Sequence, residues 1–265
     1  MLTLKDFDFK KTNVSSDEMD RYQSEGQFMY LAVELLKEVA VVTSVISCSY
    51  RLNEKNEPRE WTRNEAVLGG LMVRISKLLS SFLDQTCQKR LETAMIIFRC
   101  LGESLINVSY LLKNQSEAIF NEYIEYSLRE EKRLLLKIEA NIKNRGKSLP
   151  IEERMKSSIK RSFSTSNFDI TKVDENNREP WSENIYRRAK SLDMEEIYFA
   201  IFALPSHNIH GNWQDLITNH LEYDNGTFKP NTDWKTPRPQ PLFASGILSI
   251  EVDRSYLDSV IPDCP

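Results

Sequence analysis

The amino-acid sequence predicts an all-α protein, a multi-helix bundle with a small β-hairpin near its C-terminus. Apolar residues recur every three or four positions through most of the 265 residues, which is the spacing of a helix with one buried face. Only 8 residues are glycine, whereas barrels, sandwiches and propellers need glycine at many tight turns. With 40% hydrophobic residues, the chain can form a substantial core.

Four long helices are predicted in the first 146 residues. Ser15 is placed to cap the first, and Thr62-Arg63-Asn64-Glu65 forms a capping box for the second. The third is apolar on nearly every side, which is typical of a central helix. The fourth has a charged side that we expect to be a solvated face, and it ends at Gly146. These helices begin near residues 16, 62, 89 and 116.

Shorter elements are predicted in the second half. A helix starts at Pro150 and runs into a stretch rich in Ser, Asn and Asp at about residues 162–180, the clearest internal linker. Asn225-Gly226 predicts a two-residue hairpin turn. Further helices are expected at 181–191, 194–204 and 242–260. The organisation predicted is a flexible N-terminus, residues 1–15, followed by a single helical domain, residues 16–265.

Charge and cysteine content narrow the class of protein. The net charge of −4 argues against a broad basic face for duplex nucleic acid. The first eleven residues include acidic side chains and lack the apolar stretch of a signal peptide. We therefore expect a cytoplasmic protein with no membrane association.

The four cysteines form no C-x-x-C pair, and we expect them to be buried, reduced thiols. They are Cys48, Cys87, Cys100 and Cys264.

Two charged residues interrupt the most apolar helix. Arg99 and Glu103 are four residues apart and so share one face. Their order is the reverse of the one that favours a surface pair. They are expected either to form a buried ion pair that fixes helix register or to line a functional cleft.

A cluster of polar residues follows Pro205. It holds two of the three histidines, His207 and His210, with Ser206 before them and Asn212 after them. Histidine is the natural acid–base group near neutral pH. Two other interpretations stay open: these side chains satisfy backbone groups at the helix break, or the two histidines bind a metal with His220 or Asp215.

A third candidate group is aromatic and basic. Tyr186, Arg187 and Arg188 share one predicted helix, and Tyr198 lies on the next. Cations and rings together suit a phosphate or an unstacked base. The alternative is that the two adjacent arginines simply face solvent.

The sequence contains none of the common catalytic and metal-binding motifs. Glycine-rich phosphate loops, H-E-x-x-H, G-x-S-x-G and paired-cysteine zinc patterns are absent from it.

The sequence resembles a widespread bacterial family of uncharacterised all-helical proteins. The resemblance covers about residues 20–225 and lies in FRCLGESLINVSYLL, in WSENIYRRAKSL, and in an aromatic-rich helix ending in Ser-x-x-x-His-Gly. That family is similar in turn to the HEPN group, the higher eukaryotes and prokaryotes nucleotide-binding domains. The resemblance implies a helical bundle, often dimeric, whose active members cut RNA without a metal or other cofactor.

The HEPN resemblance also implies roles for residues. Active members use an arginine followed four to six residues later by a histidine, which His210 matches, with Ser206 and Gly211 as its matching neighbours. No basic residue occupies the corresponding positions before His210 or His207. The cation would therefore come from Arg99, Arg187 or Arg188.

Three functions are compatible with these residues. The leading one is a HEPN-like protein acting on RNA or a nucleotide, a metal-independent ribonuclease in a toxin or phage-defence setting. In it, His210, Ser206, Arg99 and Glu103 are catalytic. The substrate would be bound by Arg187, Arg188, Tyr198, His207 and Asn212. The alternatives are a non-catalytic module, which binds a protein partner or a small nucleotide, and a metal-dependent hydrolase. A homodimer is the expected assembly.

Overall fold

The computed structural model confirms the predicted fold class. It describes residues 12–49, 53, 55, 57–203 and 205–261. Helices make up most of the described chain, and a two-stranded antiparallel hairpin lies near the C-terminus. Most of the N-terminal stretch that was predicted to be flexible, residues 1–15, lies outside the described residues. So do Leu204 and Cys264.

The elements follow the predicted order. The α-helices are α1 (Ser16–Met19), α2 (Glu25–Ser47), α3 (Arg63–Cys87), α4 (Leu91–Lys113), α5 (Glu117–Arg145), α6 (Pro150–Ser166), α7 (Ile185–Ser191), α8 (Glu195–Tyr198), α9 (Ser206–His210), α10 (Trp213–Asp215) and α11 (Pro239–Val260). Two π-helical segments, π1 (Phe199–Ala203) and π2 (Leu216–His220), flank α9 and α10. The hairpin strands are β1 (Leu221–Asp224) and β2 (Thr227–Pro230).

The chain forms two compact units. The first combines residues up to Lys113 with residues 185–265, and the second is Asn114–Asn184. The organisation as one helical domain stays a prediction. Each unit has its own buried apolar residues.

The first predicted helix is divided in two. Ser15 caps it as expected, since its Oγ accepts from the Glu18 N–H at 3.2 Å. The helix nevertheless ends at Met19, and α2 starts after Ser24. Gln27 Oε1 accepts from the Ser24 N–H at 3.2 Å, which stabilises this second start. The prediction of one continuous helix is wrong because this capping interaction favours a new N-terminus.

Helix α4 is the central helix of the first unit, as its apolar pattern predicts. Leu101, Leu105 and Ile106 are fully buried in it. It packs against α3, α7, α9, α11 and π1. By length and composition alone, α3 and α4 are also apolar enough to cross a membrane. About half of the 18-residue apolar stretch in each helix is buried inside the protein.

Helices α2 and α11 pack against each other around a buried polar pair. Thr43 Oγ1 donates to Asp253 Oδ2 at 2.7 Å. Burial raises the pKa of the Asp253 carboxyl to about 6, because a charged carboxylate is poorly solvated there. Gly246 of α11 lies against Leu36 and Val39 of α2, which an added Cβ would meet at 3.8 and 3.9 Å, ordinary van der Waals distances.

The second unit is formed by α5, α6 and the polar stretch that follows them. Its core consists of Leu128, Leu135, Ile138, Ile159, Phe163 and Val173. Gly146, with φ of 77°, ends α5 as predicted. The Ser/Asn/Asp-rich stretch does not run free of the helices, since Lys132 Nζ donates to the Val173 carbonyl at 2.7 Å and Arg129 Nη1 donates to the Glu179 carbonyl at 2.9 Å. Part of the charged side of α5 therefore binds this stretch.

The hairpin turn is the one that Asn225-Gly226 predicts. Both residues are left-handed, with φ of 49° and 85°.

The predicted burial of the cysteines, in contrast, is wrong. Cys48 and Cys87 are free and exposed, because they lie at the C-terminal ends of α2 and α3. Cys100 is free and partly buried.

Candidate functional site

Arg99 of α4 contacts the histidine-bearing helix α9. Its Nε donates to Ser206 Oγ at 3.0 Å, and the Ser206 hydroxyl donates in turn to the Phe202 carbonyl at 2.6 Å. The guanidinium carbon lies 4.0 Å from the centre of the Phe202 ring, a cation–π contact. Arg99 is thus held in place by a hydroxyl and a ring face.

The Arg99–Glu103 pair reaches the surface. Arg99 Nη1 is 3.8 Å from Glu103 Oε2, and their side chains are 18% and 45% exposed. The interpretation as a buried ion pair is therefore wrong, because water solvates the carboxylate. The pair lies at a solvent-accessible edge of the contact between α4 and α9.

The histidines lie on a short, exposed helix. Helix α9 begins after Pro205 and ends at Gly211, whose φ is 55°. His210 is four residues from Ser206, so the two side chains are on the same side of the helix. His207 Nδ1 lies 2.6 Å from Asn212 Nδ2, which joins the helix to the residue after the turn. Short π-helical segments such as π1 and π2 are frequent at functional sites.

Asp215 anchors this region, and sequence reasoning missed its role. The residue is buried, and its Oδ1 accepts from the side-chain amides of Asn208 and Asn219, each at 2.9 Å. Its own N–H donates to Asn212 Oδ1 at 3.1 Å. Part of the signal was present in the sequence, since Asn212 is placed to cap a helix that holds Asp215 in its first turn, and Asn219 follows four residues later.

The third histidine lies beside two carboxylates. His220 Nε2 is 3.4 Å from Asp215 Oδ2 and 3.6 Å from Glu92 Oε2. The structure does not bring His207 and His210 together with it. Within the part of the chain that the structure describes, no group of three His, Cys, Asp or Glu side chains is arranged to hold a metal ion.

Tyr198 connects to Arg99 through a row of rings. It stacks on Phe202 with ring centres 5.1 Å apart, and Phe202 lies under Arg99. Tyr186 packs edge-on against Tyr198 at 5.3 Å, and its hydroxyl donates to Glu195 Oε1 at 3.0 Å. The aromatic candidates and the arginine therefore form one continuous surface.

The two adjacent arginines are placed differently from each other. Arg188 is buried, and its Nη1 donates to Asn107 Oδ1 of α4 at 2.6 Å. This contact joins α7 to the central helix. Arg187 is exposed. Arg99, by its hydrogen bond to Ser206, is the candidate cation that the structure places against α9.

The two best-defined concavities of the described chain lie away from the candidate site. One, of about 340 Å³, lies along α6, and the other, of about 570 Å³, lies where α2 and α11 begin. Neither is lined by Arg99 or by the histidines.

Comparison with known proteins gives a family but no activity. No curated protein and no solved structure matches the chain. The model of a family described as "Family of unknown function (DUF5677)" matches residues 65–228. The match spans more than half of the chain and includes the α4, α7 and α9 residues described above. The chain therefore belongs to this family of unknown function.

Proposed function

We propose that the protein binds RNA and cleaves it without a metal ion, with Arg99 binding the scissile phosphate and His210 acting as the acid–base group. The observation that carries the proposal is the hydrogen bond from Arg99 to Ser206, one helical turn from His210. It supports the idea that α4 supplies the cation that is missing from the residues before the histidine.

Arg99 keeps donors for a ligand. Its Nε is used by Ser206, and Nη1 is 3.8 Å from Glu103 Oε2, which is longer than a hydrogen bond. A guanidinium has five N–H groups, so donors remain that suit the paired oxygens of a phosphate. In the absence of a bound phosphate, the Glu103 carboxylate pairs with the Arg99 guanidinium.

The proposed reaction is a transfer within the RNA. His210 takes the proton from a ribose 2′-hydroxyl, and the 2′-oxygen attacks the adjacent phosphorus. The bond from phosphorus to the 5′-oxygen breaks, that oxygen takes a proton from a water molecule, and His210 releases its proton to solvent. The products are a 2′,3′-cyclic phosphate and a 5′-hydroxyl. Arg99 stabilises the negative charge that accumulates on the phosphate oxygens.

The remaining predicted residues receive roles in this proposal. Ser206 positions Arg99, and His207, with Asn212, lies beside His210 to contact the substrate. Tyr198 and the exposed Arg187 extend the surface for the strand. A HEPN-like relationship, a toxin or phage-defence setting, a homodimer and a cytoplasmic location belong to the same proposal.

Cleavage of a labelled single-stranded RNA in the presence of EDTA tests the proposal. The wild type should produce 5′-hydroxyl ends, and His210→Gln should be slower by about 100-fold. His220→Gln is the matched control, because His220 contacts Asp215 and Glu92, and it should stay within a few-fold of the wild type. No cleavage by the wild type, or equal cleavage by His210→Gln, contradicts the proposal.

A second candidate is a non-catalytic module that binds a protein partner or a small nucleotide. It is favoured by the contacts of Arg99 with Ser206, Phe202 and Glu103, since these would also serve to hold α9 on α4. This candidate predicts that His210→Ala lowers the melting temperature and leaves every RNA assay unchanged.

A further inference from the structure

Three exposed aromatic rings form a cluster next to the histidine helix. Trp213, Tyr223 and Phe228 are 58%, 68% and 49% exposed. The rings of Trp213 and Phe228 are 5.5 Å apart, and those of Tyr223 and Phe228 are 5.0 Å apart. We refer to these three residues as the aromatic cluster.

The hairpin explains how the cluster is held. Tyr223 and Phe228 are paired across β1 and β2, so their side chains project from the same face. The neighbouring pair, Glu222 and Lys229, projects from the opposite face. One face of the hairpin is therefore aromatic and the other is charged, and the aromatic face meets Trp213.

The ring geometry leaves ring faces available. Trp213 and Phe228 meet at 73° and Tyr223 and Phe228 at 47°, so neither pair is stacked face to face. Large exposed rings cost free energy in water, and their faces are suited to stacking with another planar group. Nucleobases are such groups, and stacking tolerates any base sequence.

The position of the cluster identifies the occupant. Only Gly211 and Asn212 separate His210 from Trp213 in the chain, and α9 packs against α10. The rings therefore lie beside the helix that carries the histidines, and Arg99 contacts the same helix. A single-stranded RNA has phosphates for the cations and unpaired bases for the rings, whereas a duplex keeps its bases stacked inside.

We infer that the aromatic cluster of Trp213, Tyr223 and Phe228 binds unpaired bases of a single-stranded RNA whose phosphates lie at Arg99. The inference rests on the proposed function and names its substrate class, which is single-stranded RNA. A protein partner or a second copy of the chain is the competing occupant of the same face.

Binding of a 12-nucleotide 2′-O-methyl oligouridine with a fluorescent label tests the inference. This probe cannot be cleaved through its 2′-oxygen, so the measurement is independent of catalysis. Trp213→Ala and Phe228→Ala should each raise the Kd about ten-fold, the loss expected for one stacked base. Trp213→Phe should bind within about three-fold of the wild type, because it keeps a ring.

Trp234→Ala is the matched control. Trp234 is equally exposed, at 51%, but its ring lies under Arg90, 5.6 Å from the guanidinium carbon. Its variant should bind the oligouridine within two-fold of the wild type. Circular dichroism of each variant confirms that the helices are intact, and the exposure of the rings predicts little loss of stability.

Three results overturn the inference. The first is that the wild type does not bind the oligouridine. The second is that both alanine variants bind as tightly as the wild type. The third is that these variants convert a wild-type dimer to monomer and leave the RNA affinity unchanged, which would assign the cluster to a second copy. Loss of cleavage in His210→Gln with normal oligouridine binding separates the catalytic proposal from this one.

Discussion

The Nε of Arg99 donates a hydrogen bond of 3.0 Å to the hydroxyl of Ser206, across 107 positions of the sequence. This contact joins the central helix to the short helix that carries His207 and His210. It brings together two of the residues that the sequence singled out for independent reasons. The predictions below test what this contact and its neighbours do.

Ser206→Ala should lower the free energy of unfolding by about 1–2 kcal/mol, because a partly buried charged donor loses its acceptor. Urea denaturation measures the loss. Ser255→Ala is the control, since the Ser255 hydroxyl also donates to the carbonyl four residues earlier but is exposed. It should be close to neutral, and an equal effect of the two substitutions would mean that Arg99 contributes nothing through Ser206.

Gly102→Ala should destabilise the protein by about 1–3 kcal/mol through overpacking. A Cβ at Gly102 would lie 2.8 Å from Ile201 Cγ1 of π1, and Ile201 is fully buried. Gly70→Ala is the matched helical control, since nothing lies within 4 Å of its Cβ position, and it should stabilise by about 0.5–1 kcal/mol. A neutral Gly102→Ala would show that π1 is not packed closely on α4.

Stability should depend on pH through Asp253. Its pKa is raised from 3.8 to about 6 in the folded state. The folded protein therefore binds this proton more tightly, so the stabilisation is present below pH 3.8 and is lost as the pH rises through 6. The loss is at most about 3 kcal/mol.

The measurement for Asp253 is the difference in unfolding free energy between the wild type and Asp253→Asn at several pH values. The wild type should lose stability relative to the variant between pH 4 and pH 7. Thr43→Val removes the hydrogen bond that favours the charged carboxylate, so it should enlarge the decline and extend it to higher pH. A difference that does not vary with pH would refute the shift.

Asp215→Ala should destabilise the region around α9 by about 2–3 kcal/mol, because the Asn208 and Asn219 amides lose a charged acceptor. Hydrogen exchange of the amides in residues 206–220 reports the loss locally. Asp224→Ala, in the exposed hairpin, is the control. Unchanged exchange in Asp215→Ala would show that the buried carboxylate does not anchor α9.

Features that depend on nearby residues were predictable. The caps at Ser15 and Thr62, the αL end at Gly146 and the Asn225-Gly226 turn each depend on a few adjacent positions. Wrong predictions had local causes as well. The cap at Ser24 was overlooked, and this hid the division between α1 and α2.

Contacts over long distances in the chain were harder to predict. The sequence indicates that Arg99 is unusual in an apolar helix and offers Arg188 as another candidate cation, but it identifies the partner of neither. The fold places Ser206 beside Arg99 and Asn107 beside Arg188. The π-helical segments were missed because Phe199–Ala203 is apolar at every position and so fits an α-helix equally well.

The single-turnover rate of RNA cleavage by Arg99→Ala in EDTA is the most direct test of the central claim, which is that α4 supplies the cation of the site. Arg254→Ala is the control, because Arg254 is an exposed arginine of α11. The wild type and Arg254→Ala should cleave at the same rate, and Arg99→Ala should be slower by about 100-fold. An Arg99→Ala rate equal to that of the wild type, or a wild type without activity, would contradict the account.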